Sequence, residues 1–255
     1  MKKLFIILLI PITLLSQDNK RGNAQELRDN AYHLGITTGL LFNNVENSST
    51  SGYSYEYNAN PNFMIGLDWN YAATGKFLFN AGFYYEQLSL DATGNIPGTF
   101  FSSSNDINLN SSRSFNIYTF NLKFEYVHKI NSIHFIALGV NLNNRWFIKD
   151  DLIGTSETFG NNSNDNTLII GRPDVSDVII RTPLSLRYTF KNQNLGNFSL
   201  STTFTLRDDF YIRDIVTIND RVNQTSSSSV HFIEDNFISF NLTWFPINSL
   251  FKKKK

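Results

Sequence analysis

The chain of 255 residues carries 22 basic and 22 acidic residues and no cysteine. Its zero net charge gives no electrostatic support for a nucleic-acid partner. The missing cysteines exclude disulfides, thiolate metal sites, a cysteine nucleophile and a lipid-modified cysteine. The mean hydropathy is −0.22, and no run of about 18 apolar residues follows the N-terminus, which excludes a polytopic helical membrane protein.

The first residues are typical of a secretory signal peptide. Two lysines precede the apolar stretch Leu4–Leu15, which is too short to span a bilayer. Cleavage after Ser16 is predicted, which gives a signal peptide over residues 1–16, and cleavage after Ala24 is the alternative. Residues 17–30 are then a polar lead on the periplasmic side, so the sequence predicts an exported protein.

Eight stretches of the chain alternate apolar and polar residues with a period of two. This pattern is typical of transmembrane β-strands, which expose one face to lipid and the other to the lumen. We therefore predict an all-β fold, an eight-stranded antiparallel up-and-down transmembrane β-barrel over residues 31–245, with a basic periplasmic tail at 246–255. The predicted strands are 31–42, 62–71, 77–90, 115–127, 133–147, 178–190, 197–207 and 236–245.

Short and long connections alternate between these strands. The three short ones predict periplasmic turns, and the four long ones predict extracellular loops. The loop predicted over 91–114 contains Gly94, Pro97 and a serine run, which favour loop structure. Two other loops contain strand-like runs, at 166–171 and 210–218, so we expect some hairpins to continue above the membrane.

One face of nearly every predicted strand carries large aromatic residues, whereas the other face is polar or small. A soluble barrel would show the inverse arrangement, with a polar outer surface. The aromatic content of 15% also fits the aromatic girdles found at both membrane interfaces. The predicted lipid-facing aromatics are Phe63, Trp69, Phe79, Phe83, Phe120, Phe124, Phe204, Phe240 and Trp244.

The inward face collects charges of both signs. An eight-stranded barrel is only wide enough for side chains to fill it, so charges there must pair or destabilise the fold. One interpretation is a plug of ion pairs that closes the lumen, and the other is a narrow polar conduit. The predicted lumen charges are Asp68, Glu86, Lys123, Glu125, Arg145, Arg187 and Arg207.

Acidic pairs at the predicted outer rim, Asp208-Asp209 and Glu234-Asp235, are weak candidates for binding Ca²⁺ or Mg²⁺, which take oxygen ligands. Solvated loop ends are the simpler interpretation, so we predict no metal site and no cofactor. His231 lies near serines and a carboxylate, the residue types of acyl-ester hydrolysis. Because no established catalytic motif is present, we predict that the protein is not an enzyme.

The signal sequence, the eight-strand rhythm and the aromatic-ended last strand Phe240–Phe245 resemble the small outer-membrane β-barrel proteins of the OmpA/OmpX type. The Asn-, Ile- and Lys-rich composition is similar to that of Bacteroidetes versions, including the PorT-like barrels. The resemblance implies an architecture but no functional residue. It also implies that the assembly machinery reads a terminal aromatic, which is Phe245 or Phe251.

These observations predict a non-enzymatic barrel of the bacterial outer membrane with a charge-plugged lumen. Its long loops would serve a structural, envelope-assembly or binding role. Outer-membrane lipid and lipopolysaccharide are the expected surroundings, an envelope protein is the expected partner, and the oligomeric state is open. One alternative is a narrow channel for small solutes or hydrophobic compounds, and another is a lipid-modifying hydrolase that uses His231.

Overall fold

The barrel is closed by antiparallel pairing of eight long strands. The computed structural model describes residues 22–47, 54–97, 106–147, 155–159, 166–170, 174–175, 179–205, 210–220 and 225–247. The barrel strands follow one another around the wall in chain order, and the last pairs with the first, so the predicted eight-stranded up-and-down fold is confirmed. They are β1 (Leu34–Asn47), β3 (Asn62–Thr74), β4 (Phe77–Ile96), β5 (Ile107–Lys129), β6 (His134–Phe147), β11 (Leu184–Asn192), β12 (Gly196–Phe204) and β14 (Thr225–Pro246).

The closing ladder joins β1 to β14 from the Ile36–Trp244 pair to the Asn47–His231 pair, with one irregularity between Asn43 and Val45. In hydrocarbon no water is present to bind free N–H and C=O groups, so a sheet that spans a membrane must have no open edge. This ladder therefore makes the wall compatible with a bilayer.

The two faces of the wall have opposite polarity. Outward side chains are large and apolar, and many of them are about half exposed, as in Ile36 at 54%, Leu138 at 62% and Phe240 at 52%. Inward side chains at the alternate positions are buried, and many of them are polar. This arrangement is the inverse of a soluble barrel and is the one expected for a wall that faces lipid.

The predicted lipid-facing aromatics lie on the outward face, with one correction. Phe79 has the predicted outward position but is only 6% exposed. Its ring lies 6.1 Å from that of Tyr71 and 5.0 Å from that of Phe124, so aromatic neighbours cover it. Phe120 and Phe204 are half-buried, and the open positions are Phe63, Trp69, Phe83, Phe124, Phe240 and Trp244.

Several strands continue well beyond the membrane. A tilted transmembrane strand needs about 9–11 residues, whereas β4, β5 and β14 have 20, 23 and 22 residues. The predicted loop over 91–114 is therefore wrong in most of its length, because β4 and β5 stay paired as far as Ile96 and Ile107. The inward face of β4 stays buried in this outer part, as at Leu90 and Ala92, although glycine, proline and serine in the sequence favour a loop.

Six further strands of the described residues complete the sheet, mostly in the regions predicted as long loops. The strand-like runs at 166–171 and 210–218 do form strands. The further strands are β2 (Ser54–Ala59), β7 (Thr155–Phe159), β8 (Asn166–Ile170), β9 (Asp174–Val175), β10 (Ile179–Arg181) and β13 (Phe210–Asp220). Strand β13 pairs with the upper half of β14 on one side and with β8 and β9 on the other, so part of the sheet widens outside the membrane.

A short helix, α1 (Asn23–Asp29), precedes β1. It lies within the stretch predicted only as a polar lead, and its Ala24 and Leu27 are buried. Within the described ranges, no helix is both long enough and apolar enough to cross a membrane.

A charge placed on the outer wall tests the orientation of the faces. Val140 points outward near the middle of β6 and is 51% exposed. We expect Val140→Arg to destabilise the barrel by about 2–4 kcal/mol in lipid vesicles, the value for a charge at the midplane. Denaturant unfolding monitored by tryptophan fluorescence measures the change. Ser132→Arg in an exposed turn is the control and should stay within about 0.5 kcal/mol of the parent; equal effects at both sites would contradict the assignment.

Candidate functional site: the lumen and its periplasmic cap

Three ion pairs between described residues cross the lumen. Lys123 Nζ lies 2.8 Å from Asp68 Oδ1, Arg145 Nη2 lies 2.6 Å from Glu86 Oε2, and Arg187 Nη2 lies 2.7 Å from Glu125 Oε2. All six side chains are almost completely buried except Lys123, which is 15% exposed. The structure thus brings together six of the seven predicted lumen charges, and Arg207 lies outside the described residues.

Each pair joins two strands that are not neighbours in the sheet. The pairs connect β3 to β5, β4 to β6 and β5 to β11, so each passes over the strand between. The residues beneath two of these pairs are glycines. A Cβ added at Gly82 would lie 2.2 Å from the Tyr84 hydroxyl beside Asp68, and one at Gly139 would lie 2.8 Å from Glu125 Cγ. Small residues on the intervening strand therefore give the charged chains room to meet.

The Asp68 carboxylate is the best satisfied of the lumen groups. It accepts hydrogen bonds from Thr37 at 2.5 Å, from the Tyr84 hydroxyl at 2.7 Å and from Lys123 at 2.8 Å. Lys123 also donates to the Tyr84 oxygen at 2.7 Å, and Thr37 shares a 2.8 Å hydrogen bond with Thr243. This network links the two strands that close the barrel, because Thr37 lies on β1 and Thr243 lies on β14.

The other two pairs have fewer partners. The Glu125 carboxylate also accepts a short hydrogen bond from Asn80. The Arg145 guanidinium lies 5.5 Å from the centre of the Phe237 ring, which adds a cation–π contact. Together the charged groups form successive layers. Glu125 and Arg187 lie nearest the end with the three short turns, which the sequence analysis predicts to be the periplasmic end, and Glu86 and Arg145 lie farthest from it.

Apolar layers lie above and below the charges. The lower layer is at the periplasmic end, where helix α1 enters the barrel mouth. It is a single cluster of buried side chains: Ala24, Leu27, Ala73, Leu78, Val127, Phe135 and Ala137. At the other end, Met64 and Ile117 are buried beside Glu86, and the buried apolar side chains above them include Leu41, Leu88 and Phe115.

Some lumen polar atoms have no protein partner among the described residues. Asn121 Oδ1 and Asn143 Oδ1, on directly paired positions of β5 and β6, are two of them, and the Thr119 hydroxyl beside them is a third. Buried polar atoms of this kind usually bind water. The space between the upper and middle ion pairs is therefore polar enough to hold water, although both ends of the lumen are apolar.

Helix α1 is held at the mouth by polar contacts with all three periplasmic turns. The Ala24 N–H donates to Gly75 O at 3.2 Å in the first turn. The Glu26 carboxylate accepts from Lys129 at 2.6 Å and from Lys191 at 3.0 Å, which lie at the second and third turns. Asn197 Nδ2 donates to Leu27 O at 2.8 Å. We name α1 with its linker to β1, residues 22–33, the periplasmic cap.

The cap escaped the sequence analysis, which treated residues 17–30 as a polar lead. The available signal was the spacing of Ala24 and Leu27, which places two apolar side chains on one face of a helix. A helix of seven residues carries too few positions for this spacing to be distinguished from chance. The N-cap residue is Gly22, which has no side chain to accept a hydrogen bond from the first turn of the helix. No capping motif therefore marks the start of the helix in the sequence.

The remaining predicted sites fall outside what the structure describes. Asp208 and Asp209 are outside the described residues, whereas Glu234, Asp235 and His231 have described backbone in β14 but undescribed side chains. The metal and hydrolase hypotheses at these residues therefore stay predictions. Among the described residues, no group of three or more histidine and carboxylate side chains is arranged to bind a metal ion.

Comparisons with known proteins find likeness in architecture only. No known protein family matches the chain in sequence, and no curated protein does. The outer-membrane protein OprG from Pseudomonas aeruginosa is 11% identical with a TM-score of 0.45, over 86% of this chain and 99% of that chain. The β-domain of the Bordetella autotransporter BrkA is 9% identical with a TM-score of 0.25, over 83% and 99% of the two chains. The translocator domain of autotransporter NalP from Neisseria meningitidis is 8% identical with a TM-score of 0.18, over 95% of each chain.

The buried residues Glu86 and Arg145 should be energetically coupled in the stability of the barrel. We expect Arg145→Met to destabilise the barrel by about 3–5 kcal/mol, because it leaves the Glu86 carboxylate buried without its partner. Glu86→Gln in the same chain should recover much of that loss. Denaturant unfolding of the two single variants and the double variant in vesicles gives the coupling free energy. Additive effects would show that the two groups do not interact.

The cap should weaken in acid. The hydrogen bond from Lys129 lowers the pKa of Glu26, Lys191 lowers it further, and partial burial opposes both. Because this pKa is lower in the folded than in the unfolded protein, the carboxylate stabilises the fold fully above the ordinary glutamate pKa. That contribution is lost as the pH falls through the lowered folded value.

We therefore expect the stability difference between the parent and Glu26→Gln to vanish at acidic pH. Denaturant midpoints measured across the acidic range check this. In a background carrying Lys129→Gln and Lys191→Gln, Glu26→Gln should have little effect at any pH, which is the matched control. A difference that persists in acid, or in that background, would contradict the role of the carboxylate.

Proposed function

We propose that this protein is a non-enzymatic barrel of the bacterial outer membrane whose lumen is closed, and that it acts through the strands that rise above the membrane. The observation that carries the proposal is the set of three buried ion pairs that bridge the lumen between non-neighbouring strands. An eight-stranded barrel is only wide enough for side chains to fill it, so these bridges leave no open path for solutes.

The placement in the outer membrane is supported by the apolar outer wall and by the predicted signal peptide. Strand barrels span the bacterial outer membrane, with short turns on the periplasmic side and long connections outside. The three tight turns and the periplasmic cap lie at one end of this barrel, and the long strands extend from the other. The cap therefore faces the periplasm in this proposal.

A binding or structural role for the outer part is supported by its size. Strand β5 exceeds the length of a transmembrane strand by roughly 12–14 residues, which at about 3.3 Å per residue is roughly 40–46 Å of paired structure. Strand β14 is nearly as long, and β13, β8 and β7 extend the sheet beside it. Paired strands offer a more ordered surface than loops, which suits recognition of an envelope protein or of lipopolysaccharide.

Removing the outer part of one hairpin tests whether the protein acts through its outer strands or through its lumen. Ser89 and Ser114 are direct partners in the β4–β5 ladder, so an Asn-Gly turn can join them and replace residues 90–113. We expect the trimmed barrel to fold, because all three ion pairs and the cap lie below the cut. We also expect it to capture less of any envelope component that the parent protein captures from solubilised membranes.

Planar-bilayer recording is the second arm of the same experiment. The parent and the trimmed variant should both give no discrete conductance steps, because the ion pairs are intact in each. Defined steps from the parent would overturn the closed lumen and favour the channel alternative. If the trimmed variant captures as much of an envelope component as the parent protein does, the outer part of the β4–β5 hairpin is not the binding surface.

A further inference from the structure

We propose that the periplasmic cap, residues 22–33, is a latch: it keeps the lower lumen dry when seated, and its release admits periplasmic water as far as the lowest ion pair. This inference goes beyond the proposed function, because it gives a closed barrel a lower chamber whose access can change. The chamber is the space lined by inward side chains between the cap and the Glu125–Arg187 pair.

The position of the cap is the first support. Its polar contacts reach all three periplasmic turns, and its linker reaches the last strand, where the Tyr32 N–H donates to Pro246 O at 2.6 Å and Ala31 bridges to Ile247. Asn30 also donates to Asn197 Oδ1 at 2.7 Å. A single segment therefore crosses the whole mouth of the barrel, including the end of the seam between β1 and β14.

The layering of the lumen is the second support. Leu27 and Ala24 are 2% and 0% exposed, in contact with apolar side chains of the wall. Glu125 is two residues above Val127 on the same face of β5, so it is the next inward group above this cluster. Among the described residues, this apolar layer lies between the lowest buried ion pair and the mouth of the barrel, and two of its seven side chains belong to the cap.

The third support is that the cap forms a helix only in place. Isolated helices shorter than about 12–15 residues are marginal in water, and α1 has seven residues and no side-chain N-cap. The carboxylate that fixes it is about one-third exposed, as is Lys129, so water can replace this contact. Segments with few buried apolar contacts open at low free energy, and the cap contributes only three buried apolar side chains, Ala24, Leu27 and Ala31.

The absence of cysteine from the chain makes the latch measurable with single introduced thiols. Ser199→Cys reports on the lower chamber, because Ser199 is 1% exposed and pairs with Thr189, whose other strand partner is Phe135 of the lower apolar layer. Ser239→Cys, 3% exposed and higher on β14, reports on the upper lumen. Ser132→Cys in an exposed turn gives the rate of an open site.

Each reporter is combined with Glu26→Lys, which places a third positive charge beside Lys129 and Lys191 and releases the cap. Asp29→Lys makes the same charge change at an exposed position of the same helix and is the matched control. The folded state of each variant is confirmed by its heat-dependent electrophoretic mobility. A charged thiol reagent that does not cross membranes is applied to the protein in detergent micelles.

We expect Ser199→Cys to be labelled at least about tenfold faster with Glu26→Lys than with Asp29→Lys, because the charge-assisted hydrogen bonds to the cap are lost. Ser239→Cys should stay slow in both backgrounds, and Ser132→Cys should be fast in both. An unchanged Ser199→Cys rate, with the barrel folded, would overturn the latch. So would a rate in the parent that already equals that of Ser132→Cys.

Leu27→Ala is the second release variant, should Glu26→Lys fail to fold, and it should also accelerate Ser199→Cys labelling. Faster labelling of Ser239→Cys after release of the cap would show that water passes the ion pairs, which contradicts the proposal that it stops at the lowest pair. Different measurements test the latch and the proposed function. The labelling rate of Ser199→Cys after release of the cap tests the latch, and the bilayer conductance of the parent protein tests the closed lumen.

Discussion

Closure of the wall by the β1–β14 ladder is the constraint on which the rest of the structure depends. A sheet in hydrocarbon must satisfy every backbone N–H and C=O from within, and with eight strands this produces a very narrow cylinder. The narrow radius in turn forces inward side chains into contact across the lumen. Charged residues there cannot keep their water, so each must meet an opposite charge from another strand. The Thr37–Asp68–Thr243 network shows this coupling directly, because it joins both sides of the seam to a buried ion pair.

The ion pairs follow a simple geometric rule. Each charge reaches over one intervening strand, and beneath two of the three pairs the residue is a glycine, Gly82 or Gly139. Neighbouring strands would place the two side chains side by side, whereas a one-strand gap at this curvature turns them towards each other. A larger residue at Gly82 would press on the Tyr84 hydroxyl beside Asp68, and one at Gly139 would press on Glu125.

Much of this could be predicted from the sequence, because lipid imposes a strong alternation on every residue within it. Strand number, closure, the outward aromatics and the identity of six buried charges all follow from that period. Which charges pair with each other does not follow from this alternation, because the pairing depends on the register between strands that are distant in the chain. The outer part of the β4–β5 hairpin was missed because residues 91–114 contain glycine, proline and a serine run, which favour loop structure. Phe79 was misjudged because exposure depends on the sizes of its neighbours, Tyr71 and Phe124, as well as on its own direction.

The position of α1 in the chain has a consequence for biogenesis. It precedes all the described strands in the chain, yet its seat is built from residues on β3, β4, β5 and β6 and from Asn197 on β12. This segment is therefore made before the strands but can dock only after most of the wall exists. Until then Ala24 and Leu27 remain exposed to the periplasm, where chaperones can bind them. Docking of the N-terminal segment would accordingly mark a completed barrel, and a chain stalled in assembly would still display it.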